Sequence, residues 1–299
     1  MTMIRSKWLS FAAAGLLAAT AFAGEAAQNV SFAPKFTKGA ENRYTMEYNT
    51  TNSTAGMGDT TSSQWNRKVW FTTRVKEVNE QTHDATIDVT YERISMDIKE
   101  PNRQVSFDSK NPVANDPKSD EATALRPICG QTFQFKVDQY GEITSVTPPA
   151  NLPPQSSMGA VTRDFVTTTG AQRVFGRVFG FGATKPMNTG ESWNIQSIVT
   201  DAPLDLRLTN DFKLTAVKGN EATVTSDAKA VVEPSKNASP LPFNLSEFKA
   251  TGTYGWNTKT GMLKNMNFNW KSAKTGDMNG LKLDLTEAYT IKIACETGE

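Results

Sequence analysis

From Tyr44 onward the chain alternates apolar and polar residues at period two, and this pattern constrains the fold more than any other feature. Tyr44, Met46 and Tyr48 begin it, then Val69, Phe71, Thr73 and Val75, then Ala85, Ile87, Val89 and Tyr91. The apolar phase then shifts to Ile94, Met96 and Ile98, so a bulge is expected near Glu92-Arg93. Further runs follow at Phe133–Val137, Trp193–Val199, Leu204–Leu208, Met266–Trp270, Leu281–Leu285 and Tyr289–Ile293. Alternation buries one face and wets the other, which is the behaviour of antiparallel sheet. Turn residues at Asp138–Gly141, Lys218–Asn220 and Asn257–Gly261 separate the runs. The expected class is mainly β, a β-rich α+β fold.

One segment breaks the pattern. Ser156–Phe179 places Val161, Phe165, Phe175 and Phe179 near helical spacing, with Pro148-Pro149 and Pro153-Pro154 before it and Gly180-Phe-Gly182 after it. A helical connector is expected, weakened by Thr167-Thr168-Thr169 and Gly170. Its rings, Phe165, Phe175, Phe179 and Phe181, either pack the helix on the sheet or line a lid over an apolar cavity.

The two sides of the connector repeat one order of motifs: a Gly-led aromatic opening, a strand pair, an irregular loop and a Gly-turned hairpin. The strand pairs are Thr73–Ile94 and Phe212–Glu233, and the hairpins are Phe135–Val146 and Thr253–Met266. Tandem duplication is the favoured expectation, two unrelated β segments the alternative. The expected organisation is a signal peptide (1–23), an N-terminal β lobe (24–150), the connector (151–185) and a C-terminal β lobe (186–299). The two lobes are expected as similar curved sheets or half-barrels.

The address comes from the N-terminus. Arg5 and Lys7 precede an apolar run, Trp8–Ala19, and Ala21-Phe-Ala23 forms a small-x-small cleavage site before Gly24. Export to the periplasm or beyond is expected, with no transmembrane segment after cleavage. With 32 basic and 31 acidic residues there is no electrostatic case for a nucleic-acid partner. An exported chain with two cysteines also invites a disulfide, here Cys129–Cys295, with two buried thiols as the alternative.

Catalytic and metal chemistry finds little to work with. The one histidine, His83, falls in a tight connection, and one His with two Cys does not make a zinc site of the usual kind. The Ser-x-x-Lys matches at Ser226 and Ser246 fall outside any expected helix, and there is no phosphate-cradling or dinucleotide loop. Asp108–Glu121 reads as a solvated loop without calcium-loop spacing. Trp70 lies on the parity opposite Val69 and Phe71, hence outside the main core. No metal, no cofactor and no enzymatic activity are expected.

The order of several short motifs resembles an uncharacterised family of secreted bacterial β-rich proteins, a domain of unknown function. The pieces are Gly39–Tyr44, Phe107-Asp-Ser109, Cys129-Gly-Gln-Thr-Phe133, Lys185–Trp193 and Gly252-Thr-Tyr254 with Gly261-Met-Leu263. The resemblance covers nearly all of the mature chain and implies no catalytic residues. A looser similarity is to the half-barrels of periplasmic lipoprotein carriers. The leading expectation is a non-enzymatic binding or carrier protein for an apolar small molecule or lipid, held between sheet and connector at Phe165, Phe175, Phe179 and Phe181. An interaction or structural protein of the cell envelope, binding another envelope protein through sheet faces or edges, is the alternative. A secreted hydrolase is the third.

Overall fold

The computed structural model describes residues 29–56, 58–152, 160–201, 204–233, 243–278 and 281–296. The expected signal peptide, 1–23, lies outside the described residues, as do Pro153-Pro154 and residues 155–159 of the connector. The first half contains β1 (Glu41–Gly56), β2 (Asp59–Val78), β3 (Ala85–Glu100), β4 (Arg103–Asp108), β5 (Thr132–Val137) and β6 (Ile143–Thr147). Helix α1 (Asp120–Leu125) lies between β4 and β5, and α2 (Ala160–Val166) and α3 (Thr168–Phe179) form the connector. The second half contains β7 (Ser192–Asp201), β8 (Leu204–Lys218), β9 (Glu221–Glu233), β10 (Phe243–Asn257), β11 (Met262–Met278) and β12 (Leu281–Cys295).

The mainly β expectation holds, and the two halves form a single antiparallel sheet. Its order is β6-β5-β3-β2-β1-β12-β11-β10-β9-β8-β7, with β4 paired to β3. The join is the pairing of β1 with β12, in register from Tyr44–Cys295 to Gly56–Leu283. Both strands alternate in phase across this join, so one apolar face runs without a break between the halves. The four strand pairs and hairpins read from the sequence are β2–β3, β8–β9, β5–β6 and β10–β11. The bulge expected near Glu92-Arg93 is present: Trp70 faces Arg93, Phe71 faces Tyr91, and Glu92 is the extra residue.

The connector folds as two helices. Thr167 leaves the helical region, and its side chain accepts a hydrogen bond from Gly170 N at 3.0 Å, capping α3. A Cβ at Gly170 would stand 2.1 Å from the Arg163 carbonyl oxygen, so only glycine fits where the helices meet. The Thr-rich stretch that weakens helix propensity is therefore the corner itself.

The core lies between the helices and the inner face of the sheet. Phe175 meets Phe71 edge-on at 5.1 Å, Phe165 meets Tyr91 at 5.4 Å, and Phe179 meets Phe135 at 6.4 Å. Beyond α3, Phe181 packs on Phe212, Tyr254 and Trp256. Phe32, from the segment before β1, stacks on Trp193 at 5.0 Å. Each ring fully withdrawn from water stabilises the fold by about 1.5–3 kcal/mol.

The Asp108–Glu121 loop is largely exposed, as expected, and is also tied down by one side chain. Arg126 gathers it, donating to the Ser109 carbonyl at 2.7 Å, the Asn111 carbonyl at 3.2 Å and both oxygens of Asp116. A guanidinium offers several donors in a fixed fork, which lets one side chain organise a loop of this length.

Candidate functional site

The inner face carries two hydrophobic clusters. The larger is the core just described. The second contains Leu206, Leu208, Ala228, Ala250 and Trp270, with Leu245, Phe248, Phe268 and Tyr289 packed against it. Alternation puts both on one side of the sheet: Leu206 and Leu208 share the parity of Phe212 and Leu214, and Ala250 shares that of Tyr254. Among the described residues, all members of the second cluster come from strands.

Where the clusters meet stands a charged group. Arg67 occupies an inward position of β2, two residues before Val69, and is buried. Its Nη2 donates to Asp164 Oδ2 at 3.2 Å, and its guanidinium lies 4.4 Å from the centre of the Tyr48 ring. Arg173, from the second turn of α3, donates to the other oxygen of Asp164. Two guanidiniums thus share one carboxylate. Asp164 and Arg67 are closed off from water, with side chains 4% and 8% exposed, whereas the Arg173 side chain is 46% exposed. Burial alone would lower the Arg173 pKa, but the Asp164 carboxylate and the Tyr48 and Tyr289 oxygens hold it above the ordinary arginine range.

From this group a ladder of rings crosses the face into the second cluster. Tyr48 meets Tyr289 edge-on at 5.4 Å, Tyr289 stacks on Trp270 at 5.4 Å and 11°, and Trp270 meets Phe248 edge-on at 4.7 Å. Trp270 Nε1 and Ser272 Oγ, two residues apart on β11, are buried without a hydrogen-bond partner. Native proteins satisfy most such groups. Along β1 and β2 the same face turns polar. A cleft of about 360 Å³ opens there, lined by Asn52, Thr54, Thr61–Ser63 and the Glu100–Arg103 turn.

The structure places the sequence-derived residues as follows. Phe165, Phe175, Phe179 and Phe181 are each no more than 1% exposed; Phe165 meets Phe175, Phe175 and Phe179 both pack on Phe135, and Phe181 packs apart from them on Phe212, Tyr254 and Trp256. The Cys129–Cys295 bridge is not formed. Tyr91, Phe71, Tyr44 and Cys295 stand on one row across β3, β2, β1 and β12, and Cys129 adjoins Tyr91 through the Gly130 N–Tyr91 O hydrogen bond. Three strand spacings make about 14 Å, whereas a disulfide needs Cα atoms within about 7 Å. His83 sits in an exposed turn at φ 59°. Trp70 is on the outer face, with the Arg93 guanidinium 4.3 Å from its ring centre. Ser226 is on β9, bonded to the Tyr254 hydroxyl at 3.1 Å.

Sequence reasoning missed Arg67, Asp164 and Arg173. Arg67 left one signal: a charge on the apolar parity of Trp65, Val69 and Phe71. Among the described residues no group of three His, Cys, Asp or Glu side chains could hold a metal, and no helix is long and apolar enough to cross a membrane.

The chain belongs to a family of unknown function, DUF6263, whose profile matches residues 82–152 and 163–263, more than half of the chain. The two matched segments leave out residues 153–162. A comparison with curated proteins returned no match. Among solved structures the chain is similar to a DUF1329 family protein from Desulfovibrio piger, at 6% identity over 86% of this chain and 87% of that one, with a TM-score of 0.14. A score that low carries no argument about fold or function.

Proposed function

We propose that the protein is an exported, non-enzymatic binding protein that holds an apolar chain on the inner face of its sheet, over the strand-only cluster around Trp270. One observation carries the reading: buried Trp270 Nε1 and Ser272 Oγ, without partners, lie in and beside an apolar cluster that, among the described residues, is built by strands alone. An apolar surface with a few unsatisfied polar groups is what a small-molecule site requires. The site is placed at β8–β11 rather than at the connector rings because Phe165, Phe175, Phe179 and Phe181 pack against the rings of the sheet, whereas the β11 residues Trp270 and Ser272 keep polar atoms without partners. Export rests on the Arg5–Ala23 pattern.

The test is native mass spectrometry of the protein purified without detergent from a bacterial periplasm. A mature chain starting near Gly24 that carries a lipid mass, lost on organic extraction, supports the reading. A bare mature chain speaks against the carrier reading, and an uncleaved chain in the cytoplasm speaks against export.

A second reading, interaction with another envelope protein, has its own observation. The β6 edge is closed by α3: Gln172 Nε2 donates to the Ile143 carbonyl at 2.7 Å, and Thr168 Oγ1 accepts from Val146 N at 3.1 Å. At the other end of the sheet β7 pairs, among the described residues, only with β8; Ile198 on β7 and Val231 on β9, both opposite Arg207, stand 63% and 65% exposed. An open edge with apolar neighbours is a template for another strand. Asn194→Cys should crosslink to a partner in intact cells; crosslinking to none rejects it.

A further inference from the structure

Resting on the apolar-chain reading above, we infer that the ligand is an amphiphile with a neutral, hydroxyl-rich head of the sugar type. Its chain lies on the cluster around Trp270 and its head in the polar cleft of β1 and β2. Position comes first. On the inner face one row runs through Ser272, Glu287, Asn52 and Ser63, across β11, β12, β1 and β2. The next runs through Lys274, Leu285, Thr54 and Thr61. Asn52, Ser63, Thr54 and Thr61 line the cleft, so cleft and apolar cluster share rows of one face. Two strand spacings, about 10 Å, separate Ser272 from Asn52, a distance that the head and chain of one molecule can span.

Size and charge come second. The cleft holds about 360 Å³, at the low end of the roughly 300–1,000 Å³ of small-molecule sites. Its charged lining residues are Glu100 and Arg103. Arg103 donates through Nε to Glu100 at 3.0 Å, and through Nη1 and Nη2 to the two oxygens of Glu121 at 3.2 and 2.7 Å. A guanidinium held between two carboxylates does not attract an anionic head. The third element is donor and acceptor chemistry. Asn52 and Asn102 bring amides, and Thr54, Thr61 and Ser63 bring hydroxyls. Both groups donate and accept, as does every hydroxyl of a polyol, whereas a carboxylate only accepts and a quaternary ammonium does neither. The mixed lining therefore suits a sugar-type head better than an ion.

The experiment uses the full mature protein, stripped of bound lipid, in calorimetric titrations below the micelle concentration of each probe. Octyl glucoside, octanoate and octyltrimethylammonium carry one chain length under a neutral polyol, an anionic and a cationic head, and glucose is the head alone. Octyl glucoside is expected to bind at least tenfold tighter than either ion, and glucose not measurably. Asn52→Ala and Asn102→Ala should each reduce that preference at least threefold while the binding of octanoate stays the same. Both positions reach solvent, so both variants should fold, and circular dichroism checks that they do. Equal binding of the three amphiphiles, tighter binding of either ion, or a preference untouched in both variants would overturn the head inference and leave the apolar site standing. Binding of none of the amphiphiles would overturn the apolar-chain reading itself. Glucose binding as tightly as octyl glucoside would mean a sugar site without a chain and would also overturn the inference.

Discussion

Arg67 joins strand to helix by donating to Asp164 across 3.2 Å while its guanidinium stacks on Tyr48, and both charges are almost wholly shielded from water. Removing one partner of such a pair strands the other as a buried charge, at a cost of about 3–5 kcal/mol. Asp164→Ala should therefore lower unfolding stability by that amount in urea titrations. Arg173→Gln should change it by less than about 1 kcal/mol, because its pair is half open to solvent. Equal losses in the two variants would contradict this division of roles.

The connector rings should behave as core. Phe175 is enclosed by Phe71, Tyr91, Phe135 and Phe165, so Phe175→Ala is expected to cost about 3–5 kcal/mol in denaturant unfolding. A loss under 1 kcal/mol would point instead to a ring that lines open space.

Two glycines separate backbone strain from crowding. Both Gly39 and Gly141 have φ near +85°, where an alanine costs about 1–2 kcal/mol. Around Gly39 the space is open, but a Cβ at Gly141 would stand 2.3 Å from the Phe179 carbonyl oxygen at the end of α3. Gly39→Ala should cost only the strain, and Gly141→Ala about 3 kcal/mol. Melting temperatures of the two variants test the contrast.

Acid should destabilise the protein over a defined window. Hydrogen bonding to Arg93 holds the Asp108 carboxyl below its ordinary pKa, and Arg126 does the same for Asp116. A depressed folded-state pKa contributes stability that is complete above the unfolded value, roughly 4, and is lost as pH falls through the folded value. Stability should thus be flat near neutrality and decline below about pH 4. Asp108→Asn should make that decline shallower, as read from urea midpoints taken from pH 6 to pH 2.

Both thiols should titrate. Ellman's reagent in denaturant should count two free sulfhydryls, and reductant should leave the melting temperature unchanged. Burial raises the Cys129 pKa, so that thiol should react slowly in the native protein.

Much of the fold was legible because alternation states which side of a strand is buried. It marked the hairpins, the outward Trp70 and the bulge at Glu92, since a phase shift within one strand has few other physical causes. It could not show that β1 and β12 pair, because residues 44 and 295 meet only when the chain closes on itself. That pairing also separates Cys129 from Cys295, which is why chain position misled about the disulfide. The break at Thr167 was half visible: weak helix formers marked the place, but the close approach of Gly170 to Arg163 is a tertiary fact. The charged trio was the hardest to see, since Asp164 and Arg173 become partners of Arg67 only when two helices fold onto β2.

The most direct test of the proposed site is fluorescence quenching by dibrominated oleate, whose bromines quench indoles they touch. Wild-type protein should be quenched on binding, Trp270→Phe should lose most of that quenching, and Trp65→Phe should keep it. Quenching that survives Trp270→Phe undiminished would place the chain elsewhere and contradict the account.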